Sequence, residues 1–353
     1  MNQKKTILIS YMMDPLRDES GGGVMYVKNL LKHQVSDYDV IFLGAGNKSY
    51  IDKNITFIRI TKRSKNYVLF NVKVFLWNLF TKKHYDFIHV HRSYFILPFL
   101  FSGKPMLVTL HGRTFDVVRE NAGHLSRFLI PIFKYIERLS LRKATALFPV
   151  SEVVAESFLE KHPFFKYKAL TPSMINNWPY VNSNEERDGV LFVGRLEKIK
   201  RIAELGNLWE KYADRETLKI VGDGPEKRLL KGYSKVQLLG RLSNLETLEE
   251  MRKSKLVVLC SYSEASPTVL KEALITGTSF LSTDVGDAKM LSEVFKGCLV
   301  VPELDENFVS AAENLAQTHN PNFAKTNHEL AKQFTSKEIY NRYRKHYEDI
   351  LCD

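Results

Sequence analysis

Cysteine and long apolar runs are both scarce in this sequence. The 353 residues include three cysteines, Cys260, Cys298 and Cys352, with no Cys-x-x-Cys spacing. Such a set excludes a disulfide-stapled scaffold and a zinc-ribbon site. The apolar runs 66–80 and 94–101 are interrupted by Asn, Lys or Pro and fall short of the roughly 20 residues that a membrane-spanning helix needs. We therefore expect a cytoplasmic protein, either soluble or peripheral at the inner face of the cytoplasmic membrane.

Acidic residues are deficient in the first half of the chain. Residues 1–180 hold 26 Lys and Arg against 13 Asp and Glu, a net charge of +13, whereas residues 181–353 hold 25 against 27, a net charge of −2. A basic field on one half indicates an anionic partner, and nucleic acid and an anionic membrane surface are both candidates. No nucleic-acid recognition motif accompanies these cations, so no nucleic acid partner is expected.

Two basic segments of the first half mix their cations with large apolar residues. Segments 66–83 and 127–143 both have the composition of a helix lying on an anionic lipid surface. A core-facing crossover helix with solvated cations is the alternative for either segment alone. Because all the excess positive charge lies in this half, docking on an anionic membrane surface is our hypothesis for the pair.

Short apolar runs alternate with amphipathic stretches along the whole chain. This rhythm is typical of parallel sheets with crossover helices, and about 150 residues per domain gives two domains. The polar, Pro-containing stretch 175–189 is the expected joint. The predicted strands are 6–10, 39–43, 56–60, 87–91, 106–110 and 146–150, then 189–193, 218–221, 236–239, 256–260, 279–283 and 298–301. The fold class is therefore α/β, with two Rossmann-like doubly wound parallel-sheet domains, 1–175 and 176–335, that face a central ligand-binding cleft.

Two glycine-rich segments follow predicted strands. Residues 21–23 precede a helix that is predicted to begin near Val24, and residues 222–225 (Gly-Asp-Gly-Pro) follow strand 218–221. Backbone N–H groups at such strand-to-helix turns are open to an anionic or nucleotide ligand. A flexible linker is the alternative for the first segment, and a tight turn that needs glycine is the alternative for the second. The candidate ligand-binding glycines are Gly22, Gly23, Gly222 and Gly224.

Two cations follow the first strand of the second half. Gly194 and Arg195 come directly after strand 189–193, and Lys200 lies five residues further on. An arginine offers bidentate hydrogen bonds and a lysine offers a point charge, a combination that suits a pair of phosphates. Arg and Lys are common on protein surfaces, so solvated loop charges are the alternative.

The segment 264–272, Glu-Ala-Ser-Pro-Thr-Val-Leu-Lys-Glu, combines a helix start with two carboxylates. Ser266 is predicted as the N-cap and Pro267 as the first helical residue. The backbone N–H groups of Thr268 and Val269 are then available to an anion.

Glu264 and Glu272 flank that helix start. Ionised carboxylates accept hydrogen bonds and therefore suit the hydroxyl groups of a sugar or a ribose. A capped surface helix with two solvated glutamates is the alternative.

Three histidines lie at or near the ends of predicted strands. His111 follows strand 106–110 and is predicted to point at the cleft. A structural role is the alternative for this residue. His89 and His91 alternate onto one face of strand 87–91, as structural or cleft-lining residues. No third ligand has a convincing spacing, so no metal site is expected.

Taken together, these motifs resemble a retaining glycosyltransferase of the two-Rossmann-domain GT-B type, family 4 (group 1). The resemblance covers nearly the whole chain and rests on the glycines at 21–23 and on segments 85–91 (YDFIHVH), 108–112 (VTLHG), 146–152 (ALFPVSE), 192–200 (FVGRLEKIK), 218–226 (LKIVGDGPE), 264–273 (EASPTVLKEA) and 283–287 (TDVGD). It implies an N-terminal acceptor-binding domain, a C-terminal nucleotide-sugar-binding domain, and a C-terminal helix, 336–353, that crosses back to the N-terminal domain.

The resemblance also implies a role for each candidate residue. Arg195 and Lys200 would neutralise the donor diphosphate, Glu264 would bind a hydroxyl of the transferred sugar, and Glu272 would bind the ribose hydroxyls. His111 would line the sugar pocket near the reacting carbon. The implied catalytic residues are thus His111, Arg195, Lys200 and Glu264, and the implied donor-binding residues are Gly22, Gly23, Gly194, Gly222, Gly224, Ser266, Thr268, Val269 and Glu272.

The implied reaction is transfer of a sugar, with retention, from a nucleotide-diphosphate donor (a UDP-sugar is expected) to a hydroxyl of a lipid-linked or surface-polysaccharide acceptor, with no metal or other cofactor. A nucleotide-sugar epimerase or hydrolase on the same fold, and a non-catalytic binding subunit, are the alternatives. The sequence departs from the family pattern in three places. Residues 264–267 stand where Glu-Gly-Phe-Gly is frequent, so the sugar pocket is expected to differ, and Arg201 and Asp287 each stand where Gly is common.

Overall fold

The computed structural model describes residues 4–17, 21–62, 66–112, 126–181, 186–318 and 320–352. The chain divides into two compact units. Unit 1 comprises Met1–Met174 and Ser336–Asp353, and unit 2 comprises Ile175–Thr335. Each unit is built around one β-sheet.

The sheet of unit 1 has seven strands in the order β3-β4-β2-β1-β5-β6-β7. They are β1 (Thr6–Ser10), β2 (Asp39–Ala45), β3 (Tyr50–Asp52), β4 (Ile55–Thr61), β5 (Phe87–Val90), β6 (Met106–Leu110) and β7 (Ala146–Pro149). All neighbours pair in parallel except β3, which runs antiparallel to β4. Ser10 pairs with Val90, and Val90 with Val108. The residues that follow β1, β5 and β6 therefore lie at one edge of the sheet.

The described helices of unit 1 surround this sheet. They are α1 (Gly22–Asp37), α2 (Tyr67–Phe80), α3 (Ser126–Lys143), α4 (Glu152–Leu159) and the C-terminal helix (Ser336–Cys352). The C-terminal helix buries Tyr343 and Tyr347 completely, because their spacing puts both rings on one face. It packs against α1, where Gln34 Nε2 donates to the Tyr347 hydroxyl at 2.9 Å.

The sheet of unit 2 has six parallel strands in the order β10-β9-β8-β11-β12-β13. They are β8 (Val190–Val193), β9 (Leu218–Val221), β10 (Val236–Gly240), β11 (Leu256–Leu259), β12 (Ser279–Thr283) and β13 (Leu299–Val301). The described helices are α5 (Ile202–Tyr212), α6 (Asn244–Lys253), α7 (Thr268–Ile275), α8 (Ala288–Val294), α9 (Glu306–Ala316) and α10 (Pro321–Ala331).

Alternate residues of β8 enter two different apolar clusters. Phe192 packs in one cluster with Trp209 of α5, whereas Leu191 packs in the other with Leu274 of α7. Successive side chains of a strand point to opposite faces. Both faces of this sheet are therefore covered, which a parallel sheet requires.

The prediction of two Rossmann-like parallel-sheet domains is confirmed. Every predicted strand is present, with ends that differ by at most two residues. The sequence pattern does not predict β3, because three residues between turns are too few to show an alternation. Within the described ranges, no helix is both long and apolar enough to cross a membrane.

Candidate active site

The loop after β8 turns sharply before α5. Residues Lys198–Lys200 form one 3-10 turn, and Arg201 follows with a left-handed backbone, φ 55°. Glu204 accepts from Arg201 Nε at 2.9 Å, and the Tyr262 ring centre lies 4.6 Å from the guanidinium carbon. Glycine adopts this backbone without strain. This backbone explains why Gly is common at the position in the family that the chain resembles. In this chain the side-chain contacts of Arg201 hold the residue in place.

The two cations of this loop have different partners. Arg195 is on the surface, with 70% of its side chain exposed, and its Nη1 donates to Glu197 Oε1 at 2.8 Å. Lys200 is mostly enclosed, and its Nζ donates to Glu264 Oε1. The same carboxylate oxygen accepts from Ser261 Oγ at 2.8 Å. The structure thus joins Lys200 to Glu264 and leaves Arg195 with Glu197.

Two hydrogen bonds explain why Lys200 meets Glu264. The N–H of Tyr262 donates to the Ile199 carbonyl at 2.9 Å, and the Cys260 thiol donates to the Lys200 carbonyl at 3.3 Å. These bonds join the chain that leaves β11 to the turn that follows β8, since the two strands are neighbours in the sheet. The cation and the carboxylate are therefore brought together by the sheet order.

Gly222 and Gly224 have a steric reason to be glycine. A Cβ on Gly222 would lie 1.9 Å from the Gly194 carbonyl oxygen, and a Cβ on Gly224 would lie 2.5 Å from the Leu196 carbonyl oxygen. Their φ angles are 146° and 157°. Both glycines thus let the loop after β9 pack against the loop after β8, as the tight-turn alternative requires. A Cβ on Gly194 would meet nothing closer than 3.4 Å.

The start of α7 corrects one prediction. The helix begins at Thr268 with Pro267 as N-cap, and no side chain caps it. Ser266 Oγ donates to Asp287 Oδ2 at 2.8 Å and accepts from Lys271 Nζ at 2.9 Å. The assignment of Ser266 as N-cap and of Pro267 as first helical residue is therefore wrong. The reason is that a charged pair offers the hydroxyl stronger hydrogen bonds than the helix N–H groups do.

Lys271 and Asp287 form a buried ion pair that none of the candidate motifs singled out. Their Nζ and Oδ2 atoms are 2.7 Å apart, and the side chains are 0% and 4% exposed. Burial lowers the pKa of Lys271, and the charge of Asp287 opposes that shift. A Cβ on the preceding Gly286 would lie 3.0 Å from the Ala265 carbonyl oxygen. The loop after β12 is thus fastened to the loop that carries Glu264.

Glu272 and two backbone donors lie on α7. Thr268 and Val269 occupy its first turn, where N–H groups have no acceptor within the helix. Glu272 is half-buried and accepts from Asn244 Nδ2 at 3.4 Å. Burial raises the pKa of its carboxyl, and the Asn244 hydrogen bond opposes this. One short helix therefore presents N–H donors for an anion and a carboxylate for hydroxyl groups.

The glycine segment of unit 1 forms the first turn of helix α1, which begins two residues before the start predicted near Val24. Helix α1 begins at Gly22, with Gly21 as N-cap. The reason is that Met25 N already donates to the Gly21 carbonyl at 2.9 Å, which closes the first helical turn. A Cβ on Gly23 would lie 2.6 Å from the Tyr11 hydroxyl, whereas a Cβ on Gly22 would meet nothing within 4 Å.

His111 follows β6 and contacts a second histidine. Its Nε2 lies 3.2 Å from His91 Nδ1, and its ring centre lies 4.6 Å from that of Tyr26. Burial lowers the pKa of His91 to about 3. Burial, followed by the charges of His91 and Arg92, lowers the pKa of His111 well below its usual value. Both rings are therefore neutral at neutral pH.

His89 has a structural position. It is fully buried, with its Nδ1 2.7 Å from the Tyr347 hydroxyl and its Nε2 2.9 Å from Thr109 Oγ1. These bonds tie the C-terminal helix to β5 and β6. In the part of the chain that the structure describes, no three His, Cys, Asp or Glu side chains form a group that could hold a metal ion.

Acidification is expected to destabilise the protein through His91. An unfolded histidine titrates near pH 6.5, whereas the pKa of His91 in the fold is about 3. Between these values the unfolded state binds the additional proton, so the free energy of unfolding falls by about 1.4 kcal/mol per pH unit for this residue. Urea unfolding measured from about pH 7 down to about pH 5 gives the slope.

The matched variants are His91→Asn and His84→Asn. His91→Asn is expected to lower the slope, whereas His84→Asn is expected to keep it, because the His84 side chain is 72% exposed. An equal slope in wild type and His91→Asn would contradict the role of His91.

Two glycosyltransferase family models match the chain, one on each unit. Glycosyltransferase Family 4 matches residues 20–166, and Glycosyl transferases group 1 matches residues 187–318.

Two curated bacterial proteins match parts of the chain. TuaC of Bacillus subtilis, named a teichuronic acid biosynthesis glycosyltransferase, is 34% identical over 113 residues, which are 32% of this chain and 29% of that protein. A Campylobacter jejuni alpha-1,4-N-acetyl-D-galactosaminyltransferase, whose name specifies a glycan on diNAcBac-PP-undecaprenol, is 33% identical over 168 residues, 43% of this chain and 44% of that protein. The chain thus spans less than half the length of the curated relatives that it matches.

Solved structures share the fold over nearly the full length. A sucrose-phosphate synthase from Thermosynechococcus elongatus has a TM-score of 0.78 at 18% identity, covering 99% of this chain and 100% of that one. The Anabaena protein HepE in complex with UDP-glucose has a TM-score of 0.68 at 15% identity, covering 98% and 99%. Each unit is therefore matched by a glycosyltransferase family model, and the chain shares its two-domain fold with these solved structures.

Proposed function

We propose that the protein is a retaining glycosyltransferase that moves a sugar from a nucleotide-diphosphate donor, a UDP-sugar, to a hydroxyl of a lipid-linked or surface-polysaccharide acceptor. The observation that carries this proposal is the Lys200–Glu264 contact, which puts a cation beside a carboxylate just before α7. A carboxylate is an acceptor that suits sugar hydroxyls. The names of the relatives support it, since they specify teichuronic acid and an undecaprenol-linked glycan. The UDP-glucose complex of HepE supports the donor class.

The proposed sugar transfer requires positive charge near the leaving group. The donor diphosphate gains negative charge as its bond to the sugar breaks, while the sugar ring becomes oxocarbenium-like. Lys200, Arg195 and the N–H groups that begin α7 would stabilise the diphosphate, and Glu264 would accept from a sugar hydroxyl. In this proposal these groups stabilise the departing diphosphate without a metal ion.

A neutral His111 fits the retaining reaction. A protonated imidazole beside the reacting carbon would repel the positive charge that develops there. The low pKa of His111, caused first by burial, keeps the ring uncharged, so it can line the sugar pocket as a hydrogen-bonding group. The acceptor hydroxyl would then enter on the face that the diphosphate leaves, and the departing phosphate would take its proton.

Alanine substitutions of the two glutamates are expected to have different effects, one on nucleotide binding and the other on turnover. Glu272→Ala should weaken the affinity for the free nucleotide diphosphate by about tenfold, because it removes a charged acceptor of the ribose hydroxyls. Glu264→Ala should leave that affinity nearly unchanged and lower the rate constant of transfer. Calorimetry with UDP and a transfer assay with an acceptor measure the two effects.

Glu250→Ala is the matched control for both variants. It removes a carboxylate from the neighbouring helix α6, outside the segment 264–272, and should change neither quantity. Equal UDP affinity in Glu272→Ala and wild type would show that Glu272 does not bind the ribose. A product that forms equally well without an acceptor would favour the epimerase or hydrolase alternative.

An anionic membrane surface is the second partner in this proposal. Many apolar side chains of helix α2 are exposed to solvent, and several basic residues lie in this helix or just after it. The exposed side chains are Val68, Leu69, Val72, Phe75, Leu76, Leu79 and Phe80. Apolar side chains enter the lipid interface, and each basic residue near an anionic surface adds about 1 kcal/mol. Docking there would bring unit 1 to a lipid-linked acceptor.

Co-sedimentation with vesicles tests this docking. Binding to anionic vesicles, loss of binding at high salt and no binding to neutral vesicles are expected. Leu79→Ser/Phe80→Ser should abolish binding, because these side chains are 62% and 76% exposed on α2. Leu245→Ser, a 67% exposed leucine of unit 2, is the matched control. No binding to either kind of vesicle would favour a soluble acceptor.

A further inference from the structure

Arg92 is a half-buried cation that faces tyrosines. It lies two residues after β5, at the edge of the sheet where β1 and β6 also end. The groups that act on its guanidinium are the side chains of Tyr94, Tyr11 and Tyr67. Among the described residues, no carboxylate is within ion-pair distance of it. A charged group in this setting normally has a partner of opposite charge.

The three tyrosines share one aromatic base. The ring centre of Phe95 lies 4.8 Å from that of Tyr94, 5.9 Å from that of Tyr11 and 6.4 Å from that of Tyr67. Phe95 itself is 1% exposed. The three rings are therefore held by packing against Phe95, and all three tyrosines are close enough to act on the charge of Arg92.

One of these hydroxyls has no partner. In the described part of the chain, the Tyr94 hydroxyl is buried and makes no hydrogen bond. The guanidinium carbon of Arg92 lies 6.0 Å from the centre of the Tyr94 ring. A buried hydroxyl without a partner costs free energy, and a ligand that accepts its hydrogen bond removes that cost.

We propose that Arg92 and the hydroxyls of Tyr11, Tyr67 and Tyr94 form a binding site for a phosphate group of the acceptor. A phosphate supplies the missing negative charge and has enough oxygens to accept from a guanidinium and several hydroxyls at once. This inference rests on the proposed function, because it names the chemistry of the acceptor in that reaction.

Two further observations connect the site to the acceptor. The charge of Arg92 is close enough to act on His111, which the proposed function puts at the reacting carbon. Tyr67 is also the first residue of α2, whose apolar side chains are exposed. A phosphate carried on an apolar chain would thus meet the cation and the apolar helix together.

Calorimetry with inorganic pyrophosphate tests the site. The titrations use an Arg195→Ala/Lys200→Ala background, which removes the two cations proposed for the donor diphosphate. Arg92→Gln is expected to weaken pyrophosphate binding by about tenfold or more, because it removes a charge-assisted hydrogen bond. Arg59→Gln is the matched control, since Arg59 is an exposed arginine of the same unit. Equal affinity in Arg92→Gln and its background would overturn the proposal.

Tyr94→Phe is a second variant that tests the same site if Arg92→Gln fails to fold. This variant removes one hydroxyl that has no hydrogen-bond partner in the described structure. It should therefore retain the melting temperature while weakening pyrophosphate binding several-fold. Unchanged binding in a folded Tyr94→Phe protein would also count against the site.

Farnesyl diphosphate identifies the source of the phosphate. If it binds more tightly than pyrophosphate and loses affinity in Arg92→Gln, the phosphate belongs to a lipid carrier. Equal affinities, again lowered in Arg92→Gln, assign it to a soluble phosphorylated acceptor. A protein that binds these probes through Arg92 but transfers no sugar would disprove the proposed function alone. Transfer that proceeds normally in Arg92→Gln, with unchanged KM for the acceptor, would disprove this inference alone.

Discussion

Lys200→Ala is expected to lower the rate constant of sugar transfer by about 100-fold or more, which is the usual effect of removing a preorganised charge that stabilises a transition state. The chain leaving β11 holds the turn that carries Lys200, and the Nζ atom already contacts Glu264. In the proposed reaction, the cation is thus in place before the diphosphate develops its charge. Arg195 is expected to act in the same way, although its side chain has to leave Glu197 and the solvent.

The control for Lys200→Ala is Lys198→Ala. Lys198 lies in the same 3-10 turn and is exposed, so its loss removes a positive charge without removing the contact to Glu264. The transfer assay is run with a metal chelator, which tests at the same time the expectation that no metal is needed. Wild-type kinetics in Lys200→Ala would falsify the leaving-group assignment, and a strict need for added divalent metal would overturn the expectation that no metal is needed.

Much of the fold was readable from the sequence because buried parallel strands have a simple pattern. Strands β6, β9 and β12 begin and end at the predicted residues, since each is a short apolar run between a helix and a loop. The order of strands within each sheet follows from the doubly wound topology. The ends of parallel strands carry loop residues to one edge. This is why candidates such as Lys200 and Glu264, 64 residues apart, are in contact.

The helix starts were harder to predict, because local rules compete with distant partners. Ser266 followed by Pro267 has the pattern of an N-cap and first helical residue. The structure instead uses the Ser266 hydroxyl to hold Asp287 and Lys271. Asp287 belongs to another loop, 16 residues beyond Lys271, so no window around Ser266 contains this information. The sequence did contain one indication of this pair. Asp287 stands where the family that the chain resembles commonly has Gly, and a carboxylate that becomes buried at such a position needs a cation as its partner.

The histidines of unit 1 show the same limit. Their alternation along β5 predicted a shared face but not their partners. Thr109 is 20 residues from His89 on the neighbouring strand, and Tyr347 lies 258 residues away on the C-terminal helix. Only the three-dimensional structure shows that these groups make His89 structural.

Asp287→Ala is expected to have the largest effect on stability. It leaves the Lys271 ammonium, which is 0% exposed, without its counter-charge, and breaking a buried pair in this way costs about 3–5 kcal/mol. The effect does not come from a lost helix cap, because Asp287 precedes α8 without making a capping hydrogen bond. Urea unfolding of wild type and variant measures the difference in free energy.

The pH dependence of that loss distinguishes an unpaired lysine from a simple packing defect. In Asp287→Ala the charge and hydrogen bond of Asp287 no longer oppose the effect of burial, and the charge of Glu264 alone remains, so the pKa of Lys271 falls further below its usual value. The unfolded lysine keeps its proton up to about pH 10.4, so the unfolded state binds more protons and stability rises with pH below that value. The destabilisation relative to wild type should therefore shrink as the pH rises, by up to about 1.4 kcal/mol per unit between the pKa of Lys271 in the variant and its pKa in the wild type. A packing defect would give a loss that does not change with pH.

The double variant Lys271→Met/Asp287→Ala completes the thermodynamic cycle. Replacing a buried ion pair with apolar side chains of similar volume is often neutral or stabilising, and Lys271 already lies against the ring of Phe334, 5.4 Å from Nζ to the ring centre. The double variant should thus be more stable than Asp287→Ala, by an interaction energy of up to about 3 kcal/mol. Its rate of transfer should still be reduced, because the loop carrying Glu264 loses its bond to the loop after β12. Full activity in a stable double variant would show that the pair contributes to stability and not to the position of Glu264.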